Sequence, residues 1–337
     1  MMQGKLYIDG SDAYLDFGIY VEDNGYAQLV QYPAFKKIDS TNWPDEDGEE
    51  YDLISPLLDT RTLQITFAIS NVRYAEDLFD TLSQGAYHIF KVPALGNKEW
   101  KLRMTTNGSF ASHVTLGKLT LTFADDFPAV PTGSSLDFGE SGVIQWGYEL
   151  DGTDLSQFGA YVLKGSHNDL RKAPQTKTNL TINTKAKEGA TYDAQEVYFK
   201  PKDVSLKMLI KTSSITDFWL RYDAFFAALI KAEVRKLYVE ETNAEYECFY
   251  SKQSVSRLNI NQDGSVWCEF TLTLKFVSCR PVNSYMFLAS EADDWIITED
   301  GLARIIIRPR SGISYLVMQT GEYTVTEDGN SRIYMNN

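Results

Sequence analysis

The sequence predicts an α+β fold, predominantly antiparallel β, in which a sheet or barrel with one principal helix is present twice and a small β-hairpin repeat follows. Three observations lead there. Strand-like segments alternate apolar and polar residues with period two, as half-buried antiparallel strands do. Each half of the chain holds one segment of helical periodicity, and the elements of the first half recur in the second in the same order. At 337 residues, 43% apolar and 13% aromatic, the chain has material for about two cores.

The first strand, around Tyr7 and Ile8, runs into Asp9-Gly10, a hairpin turn signal. Asp9-Gly10-Ser11-Asp12 recurs as Asp151-Gly152-Thr153-Asp154, and Phe17-Gly18-Ile19-Tyr20-Val21 as Phe158-Gly159-Ala160-Tyr161-Val162. The strand Leu63-Gln64-Ile65-Thr66-Phe67 leads to a helix expected over 74–84, with Ser70 or Asn71 as cap, Leu78, Phe79 and Leu82 on its apolar side and Gly85 as its stop. In the second half Val204-Ser205-Leu206-Lys207-Met208 leads to a helix expected over 217–233. Ser214 caps it, with Asp217 three residues on, and Phe218, Tyr222, Phe225, Phe226, Leu229 and Ile230 form one stripe that must be buried. The halves close alike, on Leu119-Thr120-Leu121-Thr122-Phe123 before Pro128 and Leu272-Thr273-Leu274-Lys275-Phe276 before Pro281.

This order predicts a duplication with modules at 1–130 and 148–281, joined by a linker over 131–147 whose start, Ala129 to Ser135, has turn chemistry. Residues 282–337 carry their own repeat. Trp295-Ile296-Ile297-Thr298-Glu299-Asp300-Gly301 matches Tyr323-Thr324-Val325-Thr326-Glu327-Asp328-Gly329, two strand-and-turn units that must stack to bury anything.

Composition narrows function by exclusion. The formal charge of −14 disfavours wrapping nucleic acid or adhering to anionic lipid. No run of about 18 apolar residues exists, so no membrane-spanning helix is expected. The opening residues lack a secretory signal, which predicts a chain made in the cytoplasm. Cys248, Cys268 and Cys279 lack metal-ligand spacing and read as small buried hydrophobes. His88, His113 and His167 fall in separate segments and read as surface or edge residues. With no nucleophile elbow, phosphate loop or dinucleotide fingerprint, no catalytic residue, metal or cofactor is expected. Paired carboxylates for glycan hydrolysis remain open on sequence alone.

One loop stands out: Trp43, Pro44, Asp45, Glu46, Asp47, Gly48, Glu49, Glu50 and Tyr51. It fails the calcium-loop pattern, because with Gly48 at the turn the first and last ligand positions are Trp43 and Ile54. Its carboxylates cannot be core, yet Trp43, Pro44 and Tyr51 are costly to expose. The loop is therefore expected to project from the first module as an inter-subunit contact arm. The second module lacks this Trp-Pro-acidic text.

That loop, with Leu53, Ser55-Pro56 and the strand after it, the Asp16-Phe17-Gly18 strand and the Thr-Glu-Asp-Gly hairpins, resembles the distal tail proteins of siphophages and prophages. The resemblance is clearest over 1–128. It implies a structural ring protein, related to tail-tube subunits and baseplate hubs, placed where the tail tube meets the tip, with no catalytic residues. The implied partners are further copies of the chain and other phage tail proteins, with DNA only passing through the lumen and no membrane. The implied location is the virion tail after assembly in the host cytoplasm. If both modules enter the ring the assembly is a pseudo-sixfold trimer, as in the hubs of contractile phages; if only the first enters, it is a hexamer; the third arrangement is a monomer that assembles only on a tail partner. The alternative is a carbohydrate- or surface-binding β protein, suggested by 20 tyrosines and 6 tryptophans.

Overall fold

The structure, a computed structural model, describes residues 3–21, 25–70, 75–113, 116–131, 147–178, 181–192, 197–242 and 244–281, together with 286–287, 305–310, 313–318 and 334–335. The first half contains β1 (Tyr7–Ile8), β2 (Ser11–Asp12), α1 (Ala13–Phe17), β3 (Ile19–Val21), β4 (Ser40–Thr41), β5 (Glu50–Tyr51), β6 (Arg61–Ile69), α2 (Ala75–Ser83), β7 (His88–Lys91), β8 (Glu99–His113) and β9 (Leu116–Asp125). The second contains β10 (Tyr148–Leu150), β11 (Thr153–Asp154), β12 (Ala160–Val162), α3 (His167–Arg171), β13 (Thr181–Ile182), β14 (Thr191–Tyr192), β15 (Lys202–Thr212), α4 (Ile215–Leu229), β16 (Arg235–Val239), β17 (Ala244–Ile260) and β18 (Val266–Phe276). The fold is α+β and predominantly antiparallel β.

Two seven-stranded sheets result, in the orders β2-β1-β7-β8-β9-β6-β3 and β11-β10-β16-β17-β18-β15-β12. Position by position the two orders are the same. Each sheet opens with a hairpin whose turn is Asp-Gly, and the backbone shows why. Asp9 and Asp151 both have φ of 50°, followed by Gly10 at 86° and Gly152 at 76°. Positive φ at both central residues is the type I′ geometry that matches strand twist. Asp12 then caps α1 by accepting from the Tyr14 and Leu15 N–H groups, and Asp154 accepts from Ser156 at the same place in the second half.

The alternating strands bury one face as expected. Leu63, Ile65 and Phe67 of β6 point inward, as do Val204, Leu206 and Met208 of β15 and Phe270, Leu272, Leu274 and Phe276 of β18. The closing strands sit two residues off their sequence match. Ile69 pairs with Gly117 whereas Ile210 pairs with Cys268, so Leu121, and not Leu119, stands opposite the counterpart of Leu272's partner. The bulges in β8 and β17 disturb the neighbouring register in both sheets.

Both expected helices form. α2 ends near its expected limit, and Ser214 caps α4 by accepting from the Asp217 N–H at 3.1 Å. α4 stops at Leu229, short of residue 233, because Glu233 takes φ of 69° and donates its N–H to the Leu53 carbonyl at 2.8 Å. The stripe on α4 is buried as expected, with Phe218 and Phe225 fully enclosed. The expected linker lies mostly outside the described residues, as do the Asp300-Gly301 and Asp328-Gly329 turns. The described C-terminal strands β19 (Met286–Phe287), β20 (Ile305–Arg310), β21 (Ile313–Met318) and β22 (Tyr334–Met335) form a four-stranded antiparallel sheet in chain order.

Candidate assembly interface

The two halves share one apolar core, and a polar knot lies inside the junction. Tyr32, from the first half, stacks on Phe226 of α4 with ring centroids 4.0 Å apart and planes 7° apart. Its N–H donates to Gln253 Oε1 at 2.7 Å and its hydroxyl to the Tyr222 carbonyl at 2.6 Å. Gln253 Nε2 donates to the Tyr222 hydroxyl at 2.8 Å, which in turn donates to the Val30 carbonyl at 2.8 Å. Burial pushes the Tyr32 and Tyr222 hydroxyls well above the usual tyrosine value, so both remain protonated donors. Trp219 extends the seam by donating to the Leu95 carbonyl at 2.7 Å.

Beside the seam is a cleft of about 740 Å³ whose lining includes Tyr32, Arg61, Lys98, Trp100, Trp219 and Asp223. Lys98 places its ammonium 3.8 Å from the centre of the Trp219 ring and 2.6 Å from Asp223 Oδ2. That face of Trp219 is therefore occupied by a cation, and is not an open platform for a sugar ring.

The acidic loop departs from its expected placement. Trp43, Pro44, Asp45 and Glu46 are exposed, Trp43 at 48%, but the turn after them lies on the second half of the same chain. Gly48 donates to the Phe199 carbonyl at 2.8 Å and Glu49 to the Val277 carbonyl at 3.2 Å. The Asp47 carboxylate accepts the Phe199 N–H at 2.7 Å and pairs with Arg280 at 2.5 Å. Lys177 donates to the Trp43 carbonyl at 2.7 Å. Tyr51, in β5, sets its ring 4.8 Å from that of Phe249, and burial followed by its hydrogen bond to Glu49 raises its hydroxyl above the usual range. Glu50 accepts from the Trp43 indole at 3.2 Å. Gly48 cannot be replaced without displacement: at its φ of 78° an added Cβ meets the Val277 carbonyl oxygen at 2.0 Å.

A second arm exists where the sequence showed none. In the first, Phe35 bridges Leu58, Ser40 pairs with Tyr51 and Thr41 with Glu50; in the second, Thr176 bridges Phe199, Thr181 pairs with Tyr192 and Ile182 with Thr191. Every residue of this second arm lies 141 positions after its counterpart, and Gly189, at φ 75°, takes the place of Gly48. The two share length and turn geometry rather than composition, so Trp-Pro-acidic text does not mark the second arm. The offset between Phe17-Gly18 and Phe158-Gly159, carried forward, points straight to it.

The histidine reading needs one correction. His88 is 4% exposed and buried in β7, not a surface residue. Asp9, held in its left-handed turn, lies 2.6 Å from Nδ1, and the Leu82 carbonyl lies 3.1 Å from Nε2. Arg235 takes the same place in the second half, 2.9 Å from Asp151. Cys248 and Cys268 are buried, as read, and burial raises both thiols. Among the described residues no three His, Cys, Asp or Glu side chains are grouped to hold a metal ion, and no helix is long and apolar enough to cross a membrane.

No family profile matches the chain, and no curated protein matches it. Among solved structures it is similar to the Dit protein (gp 19.1) of phage SPP1, described as a paradigm of the hub adsorption apparatus in phages infecting Gram-positive bacteria. The identity is 9%, the match covers 80% of this chain and 97% of that one, and the TM-score is 0.28. An overlap of that size carries no argument about function.

Proposed function

We propose that this chain is a structural ring protein of a phage or prophage tail tip, joining the tail tube to the tip. We propose further that it arose by tandem duplication, with tube-like modules at 1–130 and 148–281, the linker 131–147 and an appended hairpin segment at 282–337. One observation carries the reading: a single chain presents the same seven-strand order twice, and an arm of the first half clasps the second. That is how successive positions of a ring relate to each other. Short edge strands such as β2, β3, β11 and β12 suit modules whose edges are covered by neighbours. The sequence resemblance to distal tail proteins supplies the location, and the acidic balance suits a conduit through which DNA passes without binding.

Three chains supply six modules, so the assembly expected is a pseudo-sixfold trimer, with the hexamer as the arrangement in which only the first module lines the ring. Light scattering across a concentration series, followed by electron micrographs of the particle, decides between them. A mass of three chains of 38.2 kDa with a six-lobed ring supports the trimer. A stable two-fold dimer, or a monomer that binds one glycan class on an array, replaces this reading with the carbohydrate-binding one.

A further inference from the structure

We propose that the second arm, residues 181–192, docks on the first module of another copy of the chain, at the surface equivalent to the one the first arm occupies on the second module. The inference rests on the ring-forming reading above and names its contact. The first arm is held mainly through backbone: Gly48 and Glu49 N–H groups reach the Phe199 and Val277 carbonyls, and a carboxylate accepts the Phe199 N–H. A contact of that kind tolerates other side chains, provided the turn and its length are kept, and both are kept in the second arm.

The matching groups stand ready on both sides. Residues 181–191 are all exposed, so among the described residues the arm packs against nothing. Its Gly189 and Ala190 N–H groups, the counterparts of Gly48 and Glu49, carry no hydrogen bond among the described residues, and Glu188 stands in the place of Asp47. On the first module, Leu58 is the counterpart of Phe199. Its N–H and C=O face outward from the bridge to Phe35 and also carry no hydrogen bond among the described residues. Asp126 follows the residue paired with Arg61 as Val277 follows the residue paired with Lys202. Lys36 stands where Lys177 holds the Trp43 carbonyl. Around them Leu57 is 63% and Phe127 58% exposed, apolar surface that an arm would cover.

The two contacts differ in charge. The first arm brings Asp45, Glu46, Asp47, Glu49 and Glu50 to a site with Lys177 and Arg280, whereas the second brings Lys185, Lys187 and Glu188 to one with Lys36, Asp59 and Asp126, the last of these already paired with Arg103. Arm and receiving surface lie at different places on the chain, so the contact is head-to-tail and generates a ring where the rotation closes.

Paired cysteines test the contact. In a Cys279→Ser background, Ala190→Cys with Asp126→Cys should give, on mild oxidation, a ladder of disulfide-linked multimers that reduction collapses and neither single variant forms. Glu49→Cys with Val277→Cys is the control, expected to close within one chain. A paired variant that stays monomeric, or closes within one chain, while the control oxidises overturns the proposal. A second variant replaces residues 184–190 with Gly-Gly and is expected to shift the particle to monomer by light scattering, with the circular dichroism spectrum unchanged. A ring that persists without the arm overturns the arm contact and leaves the ring reading standing. An intact chain that is monomeric throughout the concentration series and binds one glycan class on an array overturns both.

Discussion

Gln253 has a single job that only an amide can do at its position. It accepts from the Tyr32 N–H and donates to the Tyr222 hydroxyl inside a core where neither partner meets water. Gln253→Leu fills similar space but leaves the Tyr32 N–H without an acceptor, at a cost of about 1–3 kcal/mol. Urea unfolding should show a lower midpoint with an unchanged slope; a midpoint equal to the parent's would show that the knot contributes nothing. The thiols give a second residue-scale outcome. Cys248 and Cys268 are enclosed and their thiols raised, whereas Cys279 is partly open. A chromogenic disulfide reagent should therefore label one thiol per native chain at once and three after denaturation. Rapid labelling of all three in the native state would contradict the burial.

At the scale of elements, what could be read from sequence was whatever a local pattern dictates. The Ser214 cap, the aromatic stripe of α4, the Asp-Gly turns and the alternating strands all follow from contacts between residues close in the chain. The seat of the acidic arm does not, since Phe199, Val277 and Arg280 are far along the sequence and owe their relevance to the sheet that gathers them. Trp43 and Tyr51 advertised a partner surface through composition, but nothing local said that the surface for Tyr51 was Phe249 of the same chain. His88 escaped for the same reason, because its burial depends on Asp9 arriving from a different strand. The strand ends offer a prediction of their own. Hydrogen bonds from the Arg103 guanidinium at the start of β8's bulged run hold the Asp126 carboxyl below its usual 3.8. A lowered folded-state value means that this pair's contribution is complete above that usual value and is lost as pH falls through the lowered one. The stability difference between the parent and Arg103→Gln should therefore be constant near neutrality and narrow as pH falls below the usual carboxylate value. A difference that widens in acid would reverse the assigned sign.

For the whole molecule, the shared core matters more than the two sheets taken separately. Tyr32 is stacked on Phe226, Phe35 meets Tyr250 edge-on at 5.7 Å, and the first arm lies across the second half. The described body should unfold by heat in one cooperative calorimetric transition, with calorimetric and van't Hoff enthalpies in agreement. Two resolved transitions would mean that the halves are independent units joined by a weak seam. The same seam sets a timetable for synthesis. Tyr32 leaves the ribosome 190 residues before Tyr222 and 221 before Gln253. At about 5–20 residues per second, the nascent first half waits on the order of 10–40 s with its seam bare. During that interval the aromatic face is open to other nascent chains on the same message, so slowing elongation should raise the fraction lost to aggregation, and supplying the second half in trans should recover it.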